Sequence, residues 1–320
     1  MKSDFVLNLL KENKAHFLSG EDISKKLKVS RAMVWKEIHH LRELGYDIHA
    51  QPHLGYKLVS IPDKLFADEL SYALGTKIVG KSIVSYDEID STNDAVTQLG
   101  EKGAAEGTAV FAEFQKKGRG RLGRSWVSPK GRNILFSVLL RPSIPPQDTA
   151  KITLLAAISI VRTIEQMTGV KAGIKWPNDI YHEGKKLAGI LTEMSAEPDR
   201  VKFVTVGIGI DINSKAPELP DHSTSVSEMA GHAVSRLEFA RALLKQLDRD
   251  YGRFKAGKFE ELARDWEELS VTSGRRVEAT VLNRKIQGTA MGIDAEGALV
   301  IRSDTGMQER VLAGDIRHLG

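Results

Sequence analysis

One glycine- and arginine-rich segment carries the clearest chemical signal in the chain. It reads Gly118-Arg119-Gly120-Arg121-Leu122-Gly123-Arg124 and follows directly on a predicted strand over 108–115. Glycines let backbone N–H groups approach an anion closely, and guanidinium groups bind phosphate or carboxylate through fixed pairs of donors. The segment lacks the lysine and Ser/Thr ending of a P-loop, and no nearby acidic residue completes a dinucleotide-binding unit. It predicts a phosphate-handling loop, with a flexible basic surface loop as the alternative.

A second segment combines lysines with a carboxylate. Lys175-Trp176-Pro177-Asn178-Asp179 is followed, across a turn at 183–185, by Lys186-Leu187-Ala188-Gly189-Ile190. The tract 174–194 predicts a hairpin that brings Lys175, Asp179 and Lys186 near one rim. There the lysines would stabilise charge developing on phosphate, and the carboxylate would orient an amine or hold a metal. The alternative is a solvated hairpin with an exposed ion pair.

A third segment is polar but less specific. Asp90-Ser91-Thr92-Asn93-Asp94 supplies short donors and acceptors, and alone it predicts only a helix N-cap. The chain has no cysteine, which excludes disulfides, thiolate metal sites and thiol nucleophiles. The candidate chemistry is therefore that of oxygen, nitrogen and phosphate groups.

Length and composition set the frame for these segments. A chain of 320 residues with 41% hydrophobic and 28% charged residues predicts a folded protein of two or three domains. A net charge of +4 is weak evidence for a nucleic-acid partner. No run of about 18 apolar residues occurs, and the first 20 residues mix charges with apolar residues, so we expect a cytoplasmic protein without a membrane partner.

The first 62 residues predict a separate domain of three helices and a hairpin. Ser30 is a candidate N-cap, and Val34, Ile38 and Leu41 form one apolar stripe on the helix that follows. This order is typical of a winged helix-turn-helix, with the helix from Arg31 as recognition helix and the hairpin over 46–59 as wing. The DNA-binding candidates are Arg31, Trp35, Lys36 and His39. A small helical protein-interaction domain is the alternative.

The remainder predicts two further domains, over 63–270 and 271–320. Strands over 108–115, 133–141 and 201–213 and a helix over 149–167 indicate an α+β catalytic domain with a mixed or largely antiparallel sheet. The last 50 residues contain short β-rich runs separated by turns, which favours a small SH3-like β-barrel. The runs cover 276–282, 286–293, 298–302 and 307–312.

Taken together, these motifs resemble those of biotin protein ligases. The resemblance rests on Asp90-Ser91-Thr92-Asn93, Gln115, the loop at 118–124, Trp126, the segments 175–179 and 186–190, and Gly207-Ile208-Gly209-Ile210-Asp211-Ile212-Asn213. With its terminal domains, the chain is similar to the bifunctional bacterial type, which is both biotin ligase and biotin operon repressor. The resemblance also implies that the central mixed-sheet α/β domain is related to class II aminoacyl-tRNA synthetases.

The resemblance implies roles for individual residues. Biotin would contact Ser91, Thr92, Asn93, Gln115, Arg119, Gly120, Arg121 and Lys186. The nucleotide would contact Arg121, Arg124, Trp126 and Asn213, with a core tryptophan as the alternative interpretation of Trp126. Lys186, Arg121, Lys175 and Asp179 would act in catalysis. No ligands for a metal are assigned.

The implied reaction uses ATP and Mg²⁺ to convert biotin to biotinyl-5′-AMP, whose biotinyl group passes to a lysine of a biotin carboxyl carrier protein of acetyl-CoA carboxylase. Biotinyl-AMP would also promote a homodimer that binds operator DNA. Two alternatives stay open: a lipoate-type carboxylate ligase, and a ligand-responsive repressor without catalysis.

Overall fold

The computed structural model describes residues 3–281 and 284–319. The chain divides into two compact units, Met1–Lys64 and Leu65–Gly320. Leu282, predicted as the last residue of a strand, lies outside the described residues. None of the helices described in these ranges is long and apolar enough to cross a membrane.

The first unit has the element order that the sequence predicts. Its elements are α1 Ser3–Glu12, α2 Gly20–Leu27, α3 Arg31–Glu43, β1 Asp47–Gln51 and β2 Gly55–Ser60. The Ser30 side chain caps α3 by accepting a hydrogen bond from the Met33 amide at 3.1 Å. The β1 and β2 strands pair antiparallel. Three helices followed by a hairpin confirm the predicted helix-turn-helix arrangement with a wing.

The second unit contains the remaining helices and two sheets. Its helices are α4 Ala67–Ser71, α5 Thr92–Glu101, α6 Thr149–Thr168, α7 Val226–Ala230, α8 Arg236–Lys255 and α9 Phe259–Leu269. The strands of the larger sheet are β3 Ser82–Tyr86, β4 Thr108–Ala112, β5 Ile134–Leu140, β6 Gly173–Lys175, β7 Asp179–His182, β8 Lys185–Ala196 and β9 Val201–Ile210. The strands of the smaller sheet are β10 Arg276–Val281, β11 Arg284–Ile293, β12 Leu299–Arg302, β13 Gln308–Val311 and β14 Asp315–His318.

The larger sheet is mixed, as predicted, and forms the core of this unit. Its strand order is β3-β4-β5-β9-β8-β7-β6, with β3 and β4 parallel and the other neighbours antiparallel. Both β4 and β5 are buried at every residue, which explains their predominantly apolar sequences. Helix α6 packs against β8, α8 and α9. The strand ends and loops along one face are thereby fixed on a rigid base.

The predicted hairpin over 174–194 is wrong in one respect: it consists of three strands. The turn at Glu183 and Gly184 separates β7 from β8 as predicted, but Trp176-Pro177-Asn178 forms another tight turn, between β6 and β7. Proline has no backbone N–H to donate to a strand partner, so the chain leaves the sheet there. Lys175 and Asp179 consequently face each other as a paired position.

The C-terminal segment forms an antiparallel five-stranded sheet in the order β13-β12-β11-β10-β14. The predicted runs each correspond to a strand, whereas β14 lies beyond the last predicted run. Within the described residues, β13 and β14 are edge strands and the pairings do not close into a barrel. The structure therefore supports a small β-sheet module there without confirming the predicted barrel.

Candidate functional site

A cavity of about 440 Å³ lies over the central strands of the larger sheet, and it gathers the motifs from all three predicted segments. The residues named from sequence that line it are Ser91, Thr92, Asn93, Gln115, Arg119, Gly120, Arg121, Arg124, Trp126, Lys175, Asp179 and Lys186. Asn213 is not among its lining residues. The Asn213 amide instead holds the Val234 backbone through hydrogen bonds of 2.8 and 3.0 Å.

A bulge in the β7–β8 hairpin sets the direction of the lysine side chain. Asp179 pairs with Gly189 and Tyr181 pairs with Lys186, which leaves Leu187 as an extra residue on β8. Side chains alternate between faces along a strand, so without this bulge Lys186 and Gly189 would lie on opposite faces. With it, Lys186 lies on the cavity face, where its Nζ is 2.7 Å from Asp179 Oδ1.

Lys175 contributes a second, half-buried cation to the same face. Its Nζ lies 4.6 Å from the centre of the Tyr181 ring and 3.5 Å from the Tyr181 hydroxyl. Burial lowers the pKa of Lys175, while Asp179 opposes that shift. Burial likewise raises the pKa of the Tyr181 hydroxyl. Strands β6, β7 and β8 thus present two ammonium groups around one carboxylate, which suits an anionic ligand better than an isolated lysine would.

The opposite end of the cavity is polar and mostly uncharged. Ser91 caps α5 and places Thr92 and Asn93, both buried, beneath the cavity. The Gln115 side chain accepts hydrogen bonds from the Thr92 amide at 2.7 Å and from its hydroxyl at 3.0 Å. Ser137 donates to Asn93 Oδ1 at 2.5 Å. Such a fixed set of neutral donors and acceptors suits a neutral polar ring better than a charged one.

Three glycines that belong to the sequence motifs, but for which the motifs predicted no role, form the floor between these ends. A Cβ on Gly207 would lie 2.1 Å from Asn93 Oδ1, and one on Gly209 would lie 2.5 Å from Trp126 Cε2. One on Gly189 would lie 3.0 Å from the Trp126 ring. The Trp126 ring therefore lies flat against backbone and is half-buried, so it is part of the cavity wall. Glycines at alternate positions of a buried strand were the available signal.

Carboxylates and carbonyls from distant segments hold the loop arginines. Arg119 makes a two-point contact with Asp94, at 3.0 and 2.6 Å, and lies 3.6 Å from Glu193. Arg121 donates to Asn178 Oδ1 and to the Gly314 carbonyl, both at 3.0 Å. Burial lowers the pKa of Arg121, although a guanidinium remains charged in proteins. These contacts fold the loop over the cavity.

The C-terminal sheet takes part in the site, which sequence reasoning also missed. Asp315, at the start of β14, forms an ion pair with Arg124 and lies 3.8 Å from Arg121. Glu278, Thr280, Ile316 and Arg317 also line the cavity. No motif marks these residues, because their contribution depends on the docking of the smaller sheet beside the loop.

One buried carboxylate lies just behind the site. Asp211 follows β9, is 4% exposed, and accepts a hydrogen bond from Asn133 Nδ2 at 2.7 Å. Burial raises the pKa of Asp211 to about 8, while the charge of Lys186 opposes the shift. The described residues contain no cluster of three or more metal-ligating side chains. A metal at this site would therefore depend on ligand oxygens as well as on single carboxylates.

In the first unit, α3 presents the predicted DNA-binding residues to solvent. Arg31, Trp35, Lys36 and His39 are all exposed, while Val34, Ile38 and Leu41 are buried beneath them. The rings of Trp35 and His39 stack with their centres 5.4 Å apart. This surface combines cationic groups with an exposed aromatic pair, a composition that fits contact with nucleic acid.

Family models match three parts of the chain. They are the Biotin/lipoate A/B protein ligase family at residues 86–213, an HTH domain at 2–57, and the Biotin protein ligase C terminal domain at 272–319. The first match spans the polar segment, the arginine loop and the lysine hairpin. The three matches fall on the helical unit, on the segments that supply most of the cavity, and on the C-terminal sheet.

Similar proteins share nearly the whole chain. It is 38% identical to the bifunctional ligase/repressor BirA of Bacillus subtilis (strain 168), over 97% of each chain. It is 31% identical to BirA of Escherichia coli (strain K12), over 94% of this chain and 92% of that one. A solved biotin protein ligase from Aquifex aeolicus in complex with biotin and ATP superposes with a TM-score of 0.65 at 30% identity, covering 75% of this chain and 100% of that one.

Proposed function

This chain belongs to the family of bifunctional biotin ligases and repressors, and on that premise we propose how its cavity performs the ligase reaction. The protein activates biotin with ATP and transfers it to a lysine of an acceptor protein. The observation that carries the mechanism is a single cavity with a neutral polar end at Thr92, Asn93 and Gln115 and a cationic end at Arg121 and Lys186. The neutral end suits the urea ring of biotin, and the cationic end suits carboxylate and phosphate.

In the first step a biotin carboxylate oxygen attacks the α-phosphorus of ATP. A new O–P bond forms, the bond to the β-phosphate bridging oxygen breaks, and pyrophosphate leaves with its electron pair. Lys186, Arg121, Arg124 and Lys175 all line the cavity. Because both reactants are anionic, Lys186 would stabilise the charge where carboxylate and phosphate meet, and the other three cations would offset the remaining charge. Asp179 fixes the position of the Lys186 ammonium through their 2.7 Å ion pair.

The other site residues complete substrate binding. Ser91, Arg119 and Gly120 join the biotin contacts, and Trp126 offers a flat ring to adenine. Asn213 holds the Val234 backbone and does not line the cavity, so direct nucleotide contact by Asn213 is not part of this proposal. Mg²⁺ would neutralise the triphosphate, with cavity carboxylates such as Asp179 or Asp315 as available oxygen donors.

In this proposal each domain of the chain has a separate role. Residues 1–62 bind operator DNA, 63–270 form a catalytic domain related to class II aminoacyl-tRNA synthetases, and 271–320 form an SH3-like module. The acceptor is the biotin carboxyl carrier protein of acetyl-CoA carboxylase, a proposal supported by similarity to the ligase named for that enzyme in Mycobacterium tuberculosis, at 32% identity. A cytoplasmic location places the enzyme with operator DNA.

Pyrophosphate release tests the enzymatic proposal. The full chain with ATP should release pyrophosphate only when biotin is added, and lipoate at the same concentration should give no more than the background rate. Biotin-independent release, or a response to lipoate that equals the response to biotin, would contradict the assignment. Binding of biotin and ATP without pyrophosphate release would support the repressor without catalysis.

For the repressor function, biotinyl-AMP promotes a homodimer that engages two operator half-sites at once. Joining two half-site contacts raises affinity by about 10² to 10⁴ without a new contact to DNA. Sedimentation and operator binding should therefore respond to biotinyl-AMP together. Lys36→Ala and Arg31→Ala should weaken operator binding while ligation persists. Operator affinity that is the same with and without biotinyl-AMP, across the dimerisation range, would exclude this switch.

A further inference from the structure

A second, smaller cavity of about 180 Å³ lies beside the first and shares a wall with it. The two cavities have five lining residues in common, namely Arg121, Trp176, Pro177, Asn178 and Ile190. The rest of the second cavity is built from the start of α6, from β8 and from two loops of the C-terminal sheet. Those residues are Thr149, Ala150, Thr153, Leu154, Thr192, Gly297, Leu312 and Ala313. The five shared residues belong to the segments 118–124, 175–179 and 186–190, whereas no sequence motif contains the other residues that line this space.

The shared wall contains a side-chain contact that separates the two cavities. Arg121 donates to Asn178 Oδ1 at 3.0 Å, and Asn178 Nδ2 donates to the Ile190 carbonyl at 2.8 Å. Arg121 is also the residue assigned above to the ligand anions. A guanidinium that turns towards a phosphate loses its geometry for the Asn178 contact, so binding of the nucleotide would open the wall.

The lining of the second cavity differs in character from that of the first. Arg121 carries the single charge among its described lining residues, and the others are apolar or hydroxylated except for the neutral amide of Asn178. The Thr153 hydroxyl donates to the Thr192 hydroxyl at 2.8 Å, which leaves the wall polar but neutral. A ligand side chain with an apolar stem and one neutral polar tip fits such a wall, whereas the guanidinium of Arg121 would repel an ammonium group.

The transfer step requires that an amine reach the intermediate by a route of its own. Once biotinyl-AMP fills the first cavity, the attacking amine must reach the mixed anhydride from a direction that the intermediate does not block. The amine nitrogen bonds to the biotinyl carbonyl carbon, the C–O bond to phosphate breaks, and AMP leaves with that electron pair while the amine loses a proton to solvent. An amine arriving uncharged is the reactive form.

We propose that the second cavity receives the side chain of the acceptor lysine, and that the Arg121–Asn178 contact is the partition that the lysine passes after adenylation. This inference rests on the ligase function proposed above. It assigns to the second cavity a ligand of one chemical class, an alkylamine carried on a protein. It also explains why adenylation must precede entry of the lysine. The amine gains access only after Arg121 has engaged the adenylate.

The test is a substitution that narrows the second cavity and leaves the lining of the first cavity unchanged. Ala150 is half-buried on the first turn of α6 and lines only the second cavity, so Ala150→Leu places a larger, helix-compatible side chain there. Ala150→Ser keeps the space open. Ala263→Leu is the matched control, because Ala263 is a half-buried residue of α9 that lines neither cavity.

Three rates are measured on each full-length protein: biotin-dependent pyrophosphate exchange, single-turnover transfer from preformed biotinyl-AMP to a biotin carboxyl carrier domain, and cleavage of the same intermediate by hydroxylamine. Ala150→Leu should slow transfer to the carrier domain by about tenfold or more, since misplacing a nucleophile by about 1 Å can cost 10²-fold. Pyrophosphate exchange and hydroxylamine cleavage should change less than about twofold, as should all three rates in Ala150→Ser and Ala263→Leu.

The outcomes separate this inference from the proposed function. No biotin-dependent exchange in the unmodified protein would defeat the ligase function itself. Normal exchange with undiminished transfer in Ala150→Leu would overturn the lysine route alone. Equal loss of exchange and transfer in that variant would assign the second cavity to adenylation and would also overturn the route.

Discussion

The arginine loop, residues 118–124, and the lysine hairpin, β7 and β8, both supply cations to one cavity but hold them differently. Lys186 belongs to the large sheet, its amide bonds to the His222 carbonyl at 2.8 Å, and its ion-pair partner Asp179 lies on the adjacent strand. The loop closes on itself through bonds such as Gly120 N–H to the Arg124 carbonyl at 2.7 Å. Its arginine side chains take partners from distant segments instead.

The difference indicates which contacts a ligand can exchange. The Arg119 and Arg124 side chains are 42% and 67% exposed, and exposed ion pairs contribute only about 0 to 1 kcal/mol. Anionic ligands can therefore displace Asp94 and Asp315 at small cost. The Lys186–Asp179 pair is more buried and has its strands for support, so it stays in place when the ligand binds. The hairpin therefore holds its cation in a fixed position, whereas the loop is adjustable, because its arginines can exchange their contacts and cover the ligand.

The largest effect on activity is expected from substitution of Lys186, the cation that the hairpin holds in a fixed position. Lys186→Ala should keep the fold and lower the rate of biotin-dependent pyrophosphate exchange by about 10² to 10³, the usual cost of losing one preorganised donor. Lys185→Ala is the matched control, because Lys185 is the exposed neighbour on the same strand and does not line the cavity. Turnover of the Lys186 variant near that of the control, at saturating biotin and ATP, would refute the catalytic role.

A smaller effect is expected from a substitution in the adjustable arginine loop. Arg121→Gly removes a cation and adds backbone freedom, so biotinyl-AMP should escape about tenfold faster, as expected for lost hydrogen bonds to a charged group. Streptavidin blotting of an unrelated lysine-rich protein should then show increased labelling. Leu122→Gly is the control, since Leu122 is 75% exposed and already has a positive φ of 55°. Equal labelling by the two variants would remove Arg121 from retention of the intermediate.

The smallest effect concerns the buried carboxylate behind the hairpin. Asp211 has an ordinary pKa of 3.8, raised to about 8 in the folded protein, so the unfolded chain ionises at lower pH than the folded one. The free energy of unfolding should therefore fall as pH rises through this interval, and Asp211→Asn should remove that decline. Relative to the unmodified protein, the variant should gain at least about 1 kcal/mol between about pH 5 and about pH 8.

Urea denaturation at the two pH values measures this difference. The asparagine that replaces Asp211 can still accept the hydrogen bond from Asn133, so the substitution changes the charge more than the hydrogen bonding. A change in stability that is the same at both pH values would mean that Asp211 is already ionised in the folded state.

The sequence predicts the parts of the site that consist of local motifs. The loop, the turn at Glu183 and Gly184, and the approach of Lys186 to Asp179 follow from residue types and spacing. The bulge at Leu187 could not be predicted, since a one-residue change in register has no composition signal. The extra turn at 176–178 was missed although Pro177 and Asn178 are typical turn residues, because the strand before it, β6, has only three residues.

The partners of the loop could not be predicted either. Asp94 and Asp315 lie 25 and 191 residues from the arginines that they contact, and each is an ordinary surface carboxylate in the sequence. Their positions depend on how α5 and the C-terminal sheet pack against the larger sheet. Long helices such as α8 likewise went unplaced, although they form much of the core.

A crystal structure of the full chain with biotinyl-5′-AMP is the most direct test of the account. We predict density for the intermediate in the first cavity, with Lys186 still beside Asp179 and with Arg121 and Arg124 turned from Asp315 to the ligand phosphate. Retention of the arginine contacts with Asp315 beside a bound adenylate, or separation of Lys186 from Asp179, would contradict the distinction between a fixed hairpin and an adjustable loop.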